Sequence, residues 1–191
     1  MFAYKKKYFL IVENTKDIDL CNIKISEKFV IVYRNNHKKH NIPSLLIFRQ
    51  LCKTKRIDFY VANDVNLMKS LKADGLYISA HNRKINLLKH QKSNFKILGS
   101  AHNIKELNLK ALQGCKTIFF SRLFRTDYKK KSGYLGVVKF NLMARTRSEN
   151  LIPLGGIRIS NLNKLKLIAS EGLVLLSEIK KKPTKIISRL F

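Results

Sequence analysis

The sequence predicts an α/β protein, a closed (β/α)8 (TIM) barrel of parallel strands, and three observations carry that prediction. Short β-branched and aromatic runs alternate strictly with segments whose apolar residues recur at helical spacing. Polar motifs follow these runs rather than precede them, as expected where chemistry sits at the carboxyl ends of barrel strands. The 191 residues, 45% hydrophobic, suffice for one domain over 1–191, at the small end of this fold's size range. An open doubly wound sheet is the alternative, weakened because Glu13-Asn14-Thr15-Lys16, not a G-x-G-x-x-G turn, follows the first strand.

The predicted strands are Tyr8–Val12, Phe29–Tyr33, Ile57–Val61, Gly75–Ile78, Phe95–Leu98, Lys116–Phe120, Leu151–Leu154 and Gly172–Leu176. Helical periodicity marks Pro43–Lys55, Val65–Lys72, Arg83–Lys89, Asn103–Gln113, Gly136–Arg145 and Leu162–Ser170. The stretch between the first two strands is poorly periodic, so its helix is expected to be reduced or absent. A last helix is expected from Glu178 to Phe191, broken near Pro183. The clearest unit is Ile57 to Ser79, which reads strand, Asn63-Asp64, helix, Ala73-Asp74-Gly75, strand. Asn63-Asp64 suits either a helix N-cap or a site at a strand end.

Composition excludes several classes. No apolar run reaches the length of a membrane span, and Lys5-Lys6-Lys7 precedes a run that Glu13 closes too early for a signal segment. Cys21, Cys52 and Cys115 have no C-x-x-C spacing and are odd in number, which argues for a reducing cytoplasm and against a zinc site. The 39 Lys+Arg against 12 Asp+Glu give a formal charge of +27. These cations are spread over nearly every helix and loop, with short clusters only at 5–7, 129–131 and 180–182. That spread, without a recognition motif, argues against nucleic acid as the main partner. Small anionic substrates would be drawn to the same surface.

In a barrel, the strand-end motifs would converge on one mouth. They are Tyr33-Arg34-Asn35, Asn63-Asp64, Ala80-His81-Asn82, Ser100-Ala101-His102, the loop Ser121 to Gly133, Gly155-Gly156-Ile157 and Leu176-Ser177. Gly155-Gly156 after strand seven and Ser177 after strand eight suit a phosphate, since glycines admit close backbone approach and helix N-termini offer free N–H groups. The five histidines form no metal-ligand pattern, and His37, His40, His81 and His90 read as surface groups.

Across nearly the whole chain, these residues resemble the thiamine phosphate synthase family. The resemblance rests on Arg34, Asn63-Asp64, Ala73-Asp74-Gly75, Leu98-Gly99-Ser100-Ala101-His102, Thr126 with Lys129-Lys130, Ile152 through Ile157, and Leu176-Ser177-Glu178-Ile179. It implies a TIM barrel that joins hydroxymethylpyrimidine diphosphate to thiazole phosphate, releasing diphosphate with Mg2+. By match, Asp64 would hold the metal, with Asn82 where a second acidic residue is expected. Arg34, Asn63, Ser100 and Lys129 would serve the pyrimidine diphosphate. Thr126, Gly156, Leu176 and Ser177 would serve the thiazole phosphate. Lys129 and His102 would be the catalytic groups, Lys129 taking charge on the departing diphosphate. The related thiazole tautomerase keeps the barrel and uses a histidine at the place of His102 for proton transfer.

The departures are specific. The family's Gln-Leu-Arg-Glu-Lys reads Val32-Tyr33-Arg34-Asn35-Asn36 here, so its glutamine and lysine are absent, with His37, Lys38 and Lys39 nearby as candidate replacement cations. The Thr-x-Thr of the sixth loop reads Thr126-Asp127-Tyr128. Coupling is therefore the first expectation, tautomerase-like or reduced activity the second, and a basic nucleic-acid-binding protein the third.

Overall fold

The computed structural model describes residues 6–23, 25–35, 40–85, 95–126, 133–177 and 179. Eight strands close into a barrel in sequential order, every neighbouring pair parallel. They are β1 (Lys7–Val12), β2 (Phe29–Tyr33), β3 (Asp58–Ala62), β4 (Gly75–Ile78), β5 (Lys96–Ala101), β6 (Thr117–Ser121), β7 (Asn150–Leu154) and β8 (Gly172–Leu175). Helices α1 (Ile42–Thr54), α2 (Val65–Ser70), α3 (Ile104–Leu112) and α4 (Gly136–Arg145) follow β2, β3, β5 and β6.

Strand alternation divides the core in two. Phe9, Ile11, Val30, Val32, Tyr60, Tyr77, Leu98, Phe119, Ile152 and Val174 pack together inside the barrel. The opposite parity, including Tyr8, Leu10, Phe29, Ile31, Phe59, Leu76, Ile118 and Leu173, packs outward with buried helix residues such as Leu45, Phe48, Leu107 and Phe140.

Two expected helices differ where described, and the connection after β1 lacks an α-helix, as its poor periodicity predicts. Between β1 and β2 the chain makes three short 3-10 turns, Thr15–Asp17, Leu20–Asn22 and Ser26–Lys28, because side chains capture local N–H groups. The Asp17 carboxylate accepts from Glu13 N (2.7 Å) and Asn14 N (2.9 Å), and Asp19 accepts from Cys21 N (2.9 Å). The helix expected at Leu162–Ser170 is instead a 3-10 helix, Ile159–Leu167. Its apolar side chains, Leu162, Leu165 and then Ile168, are buried at a spacing of three, the 3-10 period rather than the α period. Residues 83–85 of the helix expected at Arg83–Lys89 are not helical, and the remainder lies outside the described residues, as does nearly all of the expected C-terminal helix.

The Ala73-Asp74-Gly75 motif is architectural. Asp74 accepts Phe59 N (2.7 Å) and pairs with Arg49 Nη2 (2.8 Å), whose guanidinium also caps Lys72 O, fastening α1 to the β3–β4 unit. A Cβ at Gly75 would overlap the Lys96 carbonyl on β5 and lie 2.5 Å from the Tyr60 ring inside the barrel.

Candidate functional site

Inward alternation continues past each strand's carboxyl end and sets the wall of the mouth. Val32 leads to Arg34, Leu98 to Ser100 and His102, Phe119 to Ser121, Ile152 to Leu154 and Gly156, and Val174 to Leu176. A cavity of about 490 Å³ opens there, with Arg34, His102, Arg122, Thr126, Gly156 and Ser177 in its wall. Among the described residues no carboxylate lines it, so its charged side chains are Arg34 and Arg122.

The cradle is built from backbone. Gly155 and Gly156 have φ of 94° and 70°, a region that favours glycine. A Cβ on Gly156 would lie 2.5 Å from the Phe124 carbonyl and 2.6 Å from that of Arg125. Leu123 N donates to Leu154 O (2.9 Å) and Phe124 N to Gly155 O (3.1 Å), tying the loop after β6 to the turn after β7. Asn161 Nδ2 donates to Gly156 O (2.8 Å) and fixes the far side of the turn.

Arg34 continues the β1–β2 ladder, its N donating to Val12 O (2.8 Å). Its Nε is buried without a hydrogen-bond partner among the described residues. Below it, Tyr77 Oη donates to Ser100 Oγ (2.8 Å). Burial pushes the Tyr77 phenol up, while the Ser100 bond and the charge and hydrogen bond of Arg34 pull it down. Ser100 is thus a buried hydroxyl that the tyrosine orients, and it lines neither cavity.

His102 reaches both this cavity and an adjoining one of about 360 Å³, which it shares with His81, Glu106, Ser121, Arg122 and Tyr134. His102 Nδ1 lies 3.1 Å from Glu106 Oε2, which also accepts His102 N (2.7 Å), and the other oxygen of Glu106 accepts Asn103 Nδ2 (3.1 Å). Burial raises the Glu106 pKa, but the His102 and Asn103 bonds outweigh it, leaving the carboxyl lowered. His81, expected as a surface group, is exposed and stacks on His102 at 6.1 Å between ring centroids. His40 is half-buried, its Nδ1 3.1 Å from Tyr33 Oη.

Six sequence-predicted residues therefore share the larger cavity: Arg34, His102, Thr126, Gly156, Leu176 and Ser177. Asn63, Asp64 and Asn82 line neither cavity. Asn63 has a left-handed φ of 58°, and its amide bonds Ser79 N (3.0 Å), Ser79 Oγ (3.1 Å) and Asn82 Nδ2 (3.1 Å). Asp64 caps α2, accepting Leu67 N at 2.8 Å, so the N-cap reading of this motif holds. Asn82 Oδ1 accepts Lys84 N (3.1 Å). Lys129 lies outside the described residues. Arg122, Ser121, Leu154 and Val174 also line the larger cavity and were given no individual role by sequence, although Ser121 and Arg122 belong to the loop Ser121 to Gly133 and Leu154 to the run Ile152 through Ile157. Strand alternation would have found all of these except Arg122.

Among the described residues no group of three or more His, Cys, Asp or Glu could hold a metal. Of the sequence-predicted metal pair, Asp64 supplies one carboxylate, whose Oδ1 accepts Leu67 N, and Asn82 supplies no charge, so Mg2+ held there would need substrate phosphates and water for the rest of its shell.

The fold and mouth define a parallel (β/α)8 barrel with a cationic, glycine-cradled cavity at its carboxyl end. Residues 23–179 match the sequence profile described as thiamine monophosphate synthase, and the chain belongs to that family. A thiamine-phosphate synthase of Pelagibacter ubique is 26% identical over 97% of this chain and 96% of its own length. One from Fusobacterium nucleatum is 25% identical over 91% of this chain and 88% of its own. Against one from Prochlorococcus marinus, 26% identical over 70% of this chain, the match spans only 38% of the relative's length. Among solved structures, the thiamine phosphate pyrophosphorylase from Pyrococcus furiosus superposes with a TM-score of 0.72 at 18% identity, covering 99% of this chain and 98% of that one. An aldolase from Escherichia coli K12 gives 0.66 at 9% identity, covering 98% and 86%, a likeness of fold alone. Among the described residues, no helix is long and apolar enough to cross a membrane.

Proposed function

We propose that this protein couples hydroxymethylpyrimidine diphosphate to thiazole phosphate in thiamine biosynthesis, releasing diphosphate. The carrying observation is one cavity, without a carboxylate among the described residues, that gathers Arg34 and Arg122 with the Gly155-Gly156 turn, Thr126 and Ser177. Its cations suit two phosphorylated substrates, and its apolar wall, Leu154, Ile157, Val174 and Leu176, suits their rings.

The C–O bond to diphosphate breaks with its electron pair on the leaving oxygen, and the thiazole nitrogen's lone pair forms the new C–N bond to the pyrimidine methylene. The protein's task is to absorb charge on the departing group and align the two rings. Arg34 takes the diphosphate, and the family match assigns Lys129 and Asn63 to the same group and Ser100 to the pyrimidine. Thr126, Gly156, Leu176 and Ser177 hold the thiazole phosphate. Bound at Asp64, with Asn82 beside it, Mg2+ would neutralise leaving-group charge. The residues work in a reducing cytoplasm, as the free cysteines suggest.

The His102–Glu106 pair favours a second reading, thiazole tautomerisation. With a carboxylate at Nδ1 (3.1 Å), a neutral imidazole presents Nε2 as its acceptor, the arrangement of a general base. Diphosphate release from wild type, Asp64→Asn and His102→Gln separates the two. Coupling predicts that Asp64→Asn loses roughly a hundredfold or more in Mg2+-dependent release while His102→Gln retains most of it. A wild type that isomerises thiazole phosphate and releases no diphosphate, with that isomerisation lost in His102→Gln and kept in Asp64→Asn, selects the tautomerase.

A further inference from the structure

Arg122 is the charged side chain that both cavities share, and its surroundings hold it still. Its backbone is clamped from two sides. Leu123 N donates to Leu154 O (2.9 Å) on β7, and Arg122 O accepts Leu135 N (2.9 Å) at the start of α4. Its side chain crosses the glycine turn, where a Cβ on Gly155 would stand 3.1 Å from Arg122 Cγ. Arg122 Nη1 donates to Thr126 Oγ1 (3.0 Å), which fixes the plane of the guanidinium beside a residue already placed at the phosphate end.

A planar guanidinium held at a glycine cradle matches phosphoryl oxygens in a way a mobile lysine does not. We infer that Arg122 is a phosphoryl-binding, specificity-determining residue of this barrel, joining the Gly155-Gly156 cradle to the second cavity so that one fork faces the phosphate groups of the bound substrates. The inference rests on reading the mouth as a site for two phosphorylated substrates. It adds a cation that the altered segment after β2 and the single carboxylate at Asp64 make valuable.

The test is calorimetric titration of the full chain at low salt with inorganic phosphate and, separately, pyrophosphate. Wild type, Arg122→Gln, Arg122→Lys and Lys116→Gln are compared, the last removing an exposed charge at the start of β6, the end of the barrel opposite the mouth. Arg122→Gln is expected to weaken binding roughly ten- to a hundredfold, Lys116→Gln by less than about twofold, with Arg122→Lys in between. A larger loss with phosphate assigns the fork to the acceptor ester, and a larger loss with pyrophosphate assigns it to the leaving group. Equal binding by wild type and Arg122→Gln, equal losses in Arg122→Gln and Lys116→Gln, or no binding by wild type would overturn the inference. Should Arg122→Gln fail to fold, Arg122→Lys decides, weakened binding supporting the inference and unchanged binding overturning it. Because anion binding is read without turnover, the inference can stand even where diphosphate release fails.

Discussion

Glu106 does two jobs through one carboxylate: it braces the α3 cap residue Asn103 and the His102 backbone, and it holds the His102 ring at the edge of the cavity. Its lowered pKa ties both jobs to pH. A carboxyl that titrates lower folded than unfolded adds stability that is complete above the ordinary glutamate range and vanishes as pH falls through the lowered value. Between about pH 5 and about pH 3, wild type should therefore lose stability more steeply than Glu106→Gln, which keeps an acceptor oxygen and loses the charge. Thermal unfolding across that range reads the difference, and parallel curves would remove the charge from the account. The sequence made His102 visible because it ends Ser100-Ala101-His102, but Glu106 looked like any first-turn acid. Arg122 was equally silent, one basic residue among 39 Lys+Arg in a loop without periodicity.

At the scale of elements, the strands were the most legible part. Their inner and outer faces both bury apolar side chains, so each appears as a short continuous run, and Phe29–Tyr33 and Gly75–Ile78 fall on the expected residues, as does the helix Gly136–Arg145. What misled was the three-residue spacing after β7, which gives a 3-10 helix in place of the expected α-helix, whereas poor periodicity after β1 correctly predicted a reduced helix there. The same scale shows that a motif can look functional and be architectural. Asp74 joins α1 to β3 and β4 through Arg49 and Phe59, and Gly75 leaves room for Tyr60 and the β5 backbone. Asp74→Ala should cost about 3 kcal/mol, because it strands a largely buried guanidinium and one backbone donor. Gly75→Ala should cost at least about 2 kcal/mol through overlap with backbone that cannot move cheaply. Urea unfolding measures both, and a near-neutral Asp74→Ala would contradict the structural role.

Across the whole molecule, the closed barrel turns seven separated sequence motifs into a single rim, which is why strand order carried more functional information than any one motif. The chain carries a formal charge of +27, and among the described residues no acidic side chain lines the cavity at that rim. Such a field raises encounter with any polyanion, so attraction alone cannot distinguish a substrate from a nucleic acid. Turnover can. Purified wild type incubated with hydroxymethylpyrimidine diphosphate, thiazole phosphate and Mg2+ should form thiamine phosphate and diphosphate in equal amounts, detected by mass spectrometry and a phosphate-coupled assay. Product should disappear when either substrate is omitted. A folded protein that binds both substrates by titration and yet forms no joined product would contradict the coupling reading.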